Sequence, residues 1–207
     1  EEVRQQYDDV AVVCYINSTT ELKAAADVCV TSSNAVRIVR KLPNKTIFFT
    51  PDKNLGHYVS TQVPEKHFIL NDGFCPRHDS IRTDVVQAAK KKYPHALFLA
   101  HPECPKDVLA LADYIGSTSG IIQYASASPA REFIIGTENG VLYELQTRNP
   151  GKVFYPAMED QYCINMKKVT LEKVRDCLRD ETNEVHVDAE LSRRAVRALD
   201  NMLKLAQ

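Results

Sequence analysis

The sequence predicts an α/β protein assembled from repeated units, each a parallel sheet with helices on both faces. Three observations carry this expectation. The apolar segments are short and continuous, as in residues 10–16 (Val-Ala-Val-Val-Cys-Tyr-Ile), the pattern of a parallel strand buried on both sides. Between them lie polar turns followed by helical patterns, so strand and helix alternate through brief connections. The chain also echoes itself: Ala26-Asp27 returns as Ala112-Asp113, and Ile47-Phe48-Phe49 as Phe133-Ile134-Ile135, both displaced by 86 (27 to 113, 47 to 133). Ser32 falls on Thr118 and Asn17 on Glu103 at the same displacement, and Cys75 falls within two residues of Cys163. Recurrence in phase marks duplicated domains. A pseudo-rotation relating such domains brings equivalent loops together, placing two cysteines distant in sequence around one site.

Each element has a local reason. After the first strand, Asn17-Ser18-Thr19-Thr20 forms a turn and helix N-cap with Glu21 in the first turn, and a short helix runs over 21–27. Val28-Cys29-Val30 is a second strand, and the cluster Thr31-Ser32-Ser33-Asn34 caps a helix over 35–41. Residues 46–49 form a third strand, followed by Pro51-Asp52-Lys53-Asn54-Leu55-Gly56 and a helix; residues 67–70 form a fourth. The second unit opens with an amphipathic helix over 79–93, whose Lys90-Lys91-Lys92 is its solvated end, and a strand over 96–100. A helix to Asp113, the turn Gly116-Ser117-Thr118-Ser119-Gly120, a strand over 133–135, a helix through Gln146 and a strand over 153–155 follow. Helices over 170–179 and 189–205 close the chain, with charges on one face and leucines on the other. The expected division is a first repeat unit 1–78 carrying Cys75, a second 79–168 carrying Cys163, and C-terminal helices over 169–207.

Composition narrows the function. A hydrophobic content of 44% in 207 residues supports a real core, and a net charge of −1 argues against nucleic acid or an anionic membrane as the main partner. No apolar run reaches transmembrane length and no signal peptide is visible. Six cysteines without a Cys-x-x-Cys do not make a disulfide scaffold, so the chain reads as reduced and cytoplasmic. It opens on Glu1-Glu2 rather than methionine, and an upstream segment is expected.

In parallel α/β sheets ligands sit beyond the carboxyl ends of the strands. The residues expected there are Tyr15, Asn17, Ser32, Asp52 to Asn54, Cys75, His101, Glu103, Ser117, Thr118, Thr137, Glu138 and Cys163. Hydroxyls and helix-starting N–H groups suit carboxylate or phosphate, and His101 and Glu103 suit proton exchange. Cys75 lies in the loop Gly73-Phe74-Cys75-Pro76-Arg77-His78, between a strand and a helix start, where thiolate is favoured. A thiolate there is a soft-metal ligand or a nucleophile. Taken singly, Ser32, Thr118 and Asn17 serve equally well as helix caps. Cys14, Cys29 and Cys177 read as core or surface thiols, and Cys104 adjoins Glu103 at a strand end. Zinc held by Cys75, His78 and Cys163 is one alternative, and a two-domain module binding a small anion without catalysis is another.

Six segments together carry a resemblance: Pro-Asp-Lys-Asn-Leu-Gly (51–56), Gly-Phe-Cys-Pro-Arg-His (73–78), His-Pro-Glu-Cys (101–104), Gly-Ser-Thr-Ser-Gly (116–120), Ile-Gly-Thr-Glu (135–138) and Cys-Ile-Asn-Met-Lys (163–167). In this order and spacing the chain resembles quinolinate synthase. The resemblance implies repeated three-layer αβα domains with parallel sheets, two of the family's three pseudo-threefold-related domains. It implies condensation of iminosuccinate with dihydroxyacetone phosphate to quinolinate in NAD biosynthesis, with a [4Fe–4S] cluster as Lewis acid. Cys75 and Cys163 are then cluster ligands, with a third cysteine expected upstream. Tyr15, Asn17, Ser32, His101, Pro102, Glu103 and Thr118 contact substrate, with Glu103, assisted by His101 and Tyr15, moving protons. The implied partners are the two small substrates and the enzyme supplying iminosuccinate, with no nucleic acid or membrane. Two cysteine ligands of three imply that this chain alone makes no quinolinate and binds a cluster poorly.

Overall fold

The computed structural model describes residues 2–207. After a short helix α1 (Glu2–Gln6), strands and helices alternate as β1 (Val10–Tyr15), α2 (Thr20–Ala25), β2 (Val28–Val30), α3 (Ala35–Lys41), β3 (Thr46–Thr50), α4 (Lys53–Gln62) and β4 (His67–Leu70). The pattern then repeats through α5 (Pro76–Asp79), α6 (Thr83–Lys92), β5 (Leu97–Ala100), α7 (Lys106–Leu109), β6 (Tyr114–Ile115), α8 (Thr118–Ala127), β7 (Glu132–Gly136), α9 (Val141–Arg148) and β8 (Val153–Pro156). Two further helices, α10 (Leu171–Asp180) and α11 (Ala189–Leu205), end the chain. The strands form two four-stranded sheets with orders β2-β1-β3-β4 and β6-β5-β7-β8. Every pairing is parallel.

The continuous apolar runs are explained by what covers each sheet. Phe98, Ala100 and Ile134 pack into one core, while Leu99, Phe133 and Ile135, one residue out of phase on the same strands, pack into another. Alternate residues of a strand point to opposite faces, so a sheet covered on both sides needs both sets apolar. The first sheet is centred on Val13, Phe49, Ile38 and Leu55, all fully buried. Tyr58 of α4 packs against both that core and one core of the second sheet, joining the units.

The echo reaches individual hydrogen bonds. Asp27 Oδ2 accepts from the backbone N–H of Val12 at 2.7 Å, and the N–H of Asp27 donates to the Val12 carbonyl at 2.9 Å. Asp113 makes the same two bonds with Phe98, at 2.7 and 2.8 Å. The same aspartates pair with Arg4 at 3.0 Å and Lys90 at 3.1 Å, cations again 86 positions apart (4 to 90).

Three expectations about elements are corrected. The helix expected over 79–93 starts later, as α6 from Thr83, because a separate short helix α5 ends at Asp79 and the chain leaves helical geometry at 80–82, where Ile81 turns into the core. The turn at 116–120 is the start of α8, whose first N–H groups are capped by Ser117 Oγ accepting from Gly120 at 3.2 Å. The strand β6 was not expected; at two residues it is too short for a periodic signal. Helix α11 folds back onto the first unit, with Ala198 and Met202 in that core, whereas α10 buries no residue. Among the described residues no helix is long and apolar enough to cross a membrane.

Candidate active site

Both sheets place β1 or β5 beside the strand at which the order reverses, and crevices open at such points beyond the carboxyl ends. Tyr15 closes β1, and His101 follows β5 with its N–H donating to Gly136 O at 3.1 Å. Asp52 follows β3 and Glu138 follows β7. Each carboxylate holds a cysteine loop by its backbone. Asp52 accepts from the N–H groups of Asn54 (2.7 Å), Leu55 (2.9 Å) and Cys75. Glu138 accepts from Gly140 at 2.7 Å and from Cys163 at 3.3 Å. The two cysteine loops are also tied to each other, since the Gln161 side-chain amide donates to the Arg77 carbonyl. Both thiols are partly accessible.

The centre of the site is Glu103, 5% exposed. Its Oε2 accepts from the Tyr15 hydroxyl at 3.4 Å and lies 3.2 Å from His101 Nδ1 and 3.4 Å from His78 Nδ1. The imidazoles of His78 and His101 stack with centroids 4.6 Å apart. His78 Nδ1 is also 3.3 Å from Cys75 Sγ, and its Nε2 is 2.9 Å from Thr137 Oγ1. Asn54 donates to the Glu103 carbonyl at 3.2 Å and to Asp79 at 2.9 Å, fixing the loop that carries the carboxylate.

Burial acts on all these groups, and their neighbours decide the outcome. Burial pushes Glu103 up, but the His101 hydrogen bond, the two imidazoles and the Tyr15 hydroxyl outweigh it, leaving its carboxyl below the usual range. Burial, then the charge of Glu103, raises Tyr15, so its hydroxyl stays a donor. Burial and the neighbouring His101 lower His78 to about 4, so at neutral pH this ring is an uncharged imidazole. The expectation of a thiolate-favouring Cys75 is corrected. Burial raises it, and the negative charges of Glu103 and Asp52 add to that effect against the N–H groups of Arg77 and His78.

His101 Nε2 lies 3.2 Å from Ser32 Oγ, which connects this buried group to an open cavity of about 550 Å³. Ser32, Ser33, Ser117, Thr118, Ser119 and Arg148 contribute to its walls. Glu144 shares the wall and pairs with Arg148, so the cavity offers a ligand its hydroxyls rather than a free cation.

The family model described as Quinolinate synthetase A protein matches residues 1–204. The quinolinate synthase of Caldicellulosiruptor bescii is 50% identical over 205 residues, covering 99% of this chain and 68% of that protein. That of Clostridioides difficile is 49% identical, with 99% and 67% covered. That of Fusobacterium nucleatum subsp. nucleatum is 49% identical, with 99% and 68% covered. The chain belongs to the quinolinate synthase family.

Of the residues that the family resemblance singled out, Tyr15, Ser32, His101, Glu103 and Cys75 converge through the contacts above, and Pro102 is buried among them in sequence. Thr118 shares the cavity with Ser32. Asn17 is exposed at the end of β1, and no hydrogen bond ties it to the others. Cys163 is held beside Glu138 but is not among the groups gathered with Cys75, His78 and Glu103. Cys104 is a core residue, fully buried, its thiol donating to the Gly136 carbonyl at 3.4 Å. Cys14 and Cys29 are buried register partners on β1 and β2.

The donor set suits an iron–sulfur group. Two partly accessible cysteines stand on loops tied to one another, each with its backbone held by a carboxylate. Sequence reasoning weighed His78 only as a zinc ligand and missed its contact with Glu103. Its place beside Cys75 was legible, since Pro76 starts α5 directly after Cys75 and puts His78 one turn on, whereas its contact with Glu103 depends on how the two sheets pack.

Proposed function

We propose that this chain forms two repeat units (1–78 and 79–168) of a quinolinate synthase that condenses iminosuccinate with dihydroxyacetone phosphate. Their carbons and nitrogen combine to give quinolinate, with loss of phosphate and two waters. The observation that carries the reading is the convergence of Tyr15, His78 and His101 on one buried carboxylate beside Cys75. Cys75 and Cys163 would hold two corners of a [4Fe–4S] cluster, with a third thiolate from polypeptide outside these 207 residues. Such a cluster supplies a Lewis-acidic iron with an open position.

The chain's own residues supply the proton traffic. Closing the pyridine ring removes protons from carbon and delivers protons to departing oxygens. Glu103, ionised at neutral pH and shielded from water, accepts the former at Oε2. Tyr15, held as a phenol, donates from Oη and steadies Glu103 between transfers. His101 spans Glu103 and Ser32 and so connects the buried carboxylate with the cavity. The hydroxyls of Ser32 and Thr118 and the Asn17 amide donate to carboxylate or phosphate oxygens. In this reading the chain works in the cytoplasm, is fed by the enzyme that makes iminosuccinate, and alone makes no quinolinate.

The test uses a complete enzyme containing these units. Glu103→Gln keeps shape and cluster colour but lowers turnover by about 10²- to 10⁴-fold. Cys163→Ala loses the cluster itself. Near-normal quinolinate formation by Glu103→Gln with its cluster intact removes Glu103 from the proton path. Wild-type enzyme that takes up no cluster and makes no quinolinate, yet binds phosphate or dicarboxylates, reduces the site to an anion-binding module.

A further inference from the structure

We propose that the cluster-free protein holds one divalent transition-metal ion on Cys75 Sγ, His78 Nδ1 and Glu103 Oε2. One ligand atom from each of these three residues lies within 4.8 Å of the other two. His78 Nδ1 is 3.3 Å from the sulfur and 3.4 Å from the carboxylate oxygen. Bonds of about 2.0–2.3 Å to a tetrahedral ion put neighbouring ligands about 3.3–3.7 Å apart. Both of these distances fall in that range before any ion is present.

The surroundings complete the site. The second nitrogen of His78 meets Thr137 Oγ1 at 2.9 Å. A hydroxyl accepts from N–H or donates to a bare nitrogen, so Thr137 serves either tautomer and anchors the ring when Nδ1 gives its lone pair to a metal. The N–H of Cys75 is held by Asp52, and the backbone of Glu103 by Asn54, so two ligands come from fixed loops. The charges also close. Binding converts M²⁺, a thiol, a neutral imidazole and a carboxylate into a complex of net charge zero plus one proton released to solvent. Neutrality matters where Glu103 and His78 are 5% and 8% exposed. Thiolate, imidazole and carboxylate together select a borderline ion such as Zn²⁺, Fe²⁺ or Co²⁺ over Mg²⁺ or Ca²⁺. Three protein ligands leave a fourth position open.

A consequence rests on the proposed function. If Cys75 is a cluster ligand, the single ion and the cluster compete for it, and zinc loading blocks cluster assembly. The ion site itself does not use Cys163, and this separates the two ideas.

The experiment titrates the chelator-treated, anaerobic 207-residue chain with Co²⁺. One equivalent binds, a thiolate-to-cobalt charge-transfer band appears, and about one proton is released per ion. Cys75→Ser removes the band, and His78→Ala weakens binding about tenfold or more, within the range for lost metal-site partners. Cys163→Ser leaves stoichiometry, band and affinity unchanged in this chain, whereas in a complete enzyme the same substitution prevents reconstitution with iron and sulfide. Circular dichroism checks each variant; should His78→Ala not fold, Cys75→Ser and Thr137→Val decide, the latter weakening binding without removing the band. Absence of the band in the folded wild-type chain, its loss in Cys163→Ser, or wild-type affinity in folded His78→Ala overturns the proposal. Co²⁺ binding in a complete enzyme that never acquires a cluster overturns the cluster reading and leaves the ion site standing. A cluster-competent enzyme whose cluster-free form binds no Co²⁺ does the reverse.

Discussion

The two units carry the same frame and different chemistry. At positions that brace the sheets, one solution appears twice: Asp27 and Asp113 bond the first strand of each sheet identically, and Asp52 and Glu138 each accept the N–H of a loop cysteine. At the ends of the first strands the residues differ. Tyr15 stands where His101 recurs, and exposed Asn17 stands where buried Glu103 recurs. A duplicated fold brings equivalent loop positions together, and the site arises from what is no longer equivalent there. One unit supplies the phenol, the cysteine and His78, the other the carboxylate and its second imidazole.

The largest effect that tests this contrast is on turnover. Glu103→Asn makes the second unit copy the first at that position. In a complete enzyme it should lower kcat by about 10²- to 10⁴-fold, because an amide has no basicity near neutral pH. Asn17→Ala, at the equivalent position, removes at most one hydrogen bond from an exposed residue. Its cost should be about tenfold, expressed mainly in KM. Equal losses in kcat for both would mean that the units share the proton-transfer work.

The frame was more legible in the sequence than the site, for physical reasons. Val28–Val30, Ala35–Lys41 and His67–Leu70 follow their expected bounds because polar turn residues or proline flank each run, although Asn34 accepts from the Thr31 N–H rather than capping α3. Helix α8 was hidden because Gly, Ser and Thr fill its first turn, although Ile121, Ile122 and Ala125 bury its inner face. The strand-end residues could be named because parallel sheets put their ligands there. That Glu103 works beside Tyr15 was implied only by the family resemblance; spacing could not show it, since the contact spans 88 residues and depends on how two sheets pack. Residue types alone also could not set the ionisation of Cys75: the helix-start N–H groups were visible, but the burial and the two nearby carboxylates were not.

A middle-sized effect separates the two loop carboxylates. Asp52 is 2% exposed and accepts three N–H groups, so Asp52→Asn must turn an amide N–H₂ toward at least one of them. Leaving a buried donor unpaired costs about 1–3 kcal/mol. Glu138 has a side chain 12% exposed and Lys167 at 3.6 Å. Its glutamine variant can keep the oxygen on Gly140 and gives up only the 3.3 Å bond from the Cys163 N–H, in a partly exposed loop where water can take over, at a cost under about 1 kcal/mol. Urea denaturation of the 207-residue chain, read as a change in midpoint at constant slope, measures both. Equal costs would show that exposure does not distinguish the two carboxylates.

The smallest effect tests which part of the duplicated brace matters. Each aspartate does two things, accepting a strand N–H and pairing with a cation. The cation pairs are open to water, with side chains 40% and 39% exposed for Arg4 and Asp27 and 35% and 36% for Lys90 and Asp113. Ion pairs in such places contribute about 0–1 kcal/mol. The N–H groups of Val12 and Phe98 belong to strands whose residues are buried, and there an unpaired donor costs about 1–3 kcal/mol. Asp27→Ala and Asp113→Ala should therefore destabilise by similar amounts in that range, whereas Arg4→Ala and Lys90→Ala should each cost less than about 1 kcal/mol. The cations also donate to the carbonyls of Ala25, at an exposed site, and Leu111, at a half-buried one, where water can take the place of most of the bond. Adding salt should shrink the Arg4 and Lys90 effects and leave the aspartate effects nearly intact, since screening acts on exposed charges and not on a strand N–H. If removing the cation costs as much as removing the aspartate, the brace is electrostatic, and its recurrence in both units reflects charge pairing rather than the need to satisfy one backbone donor.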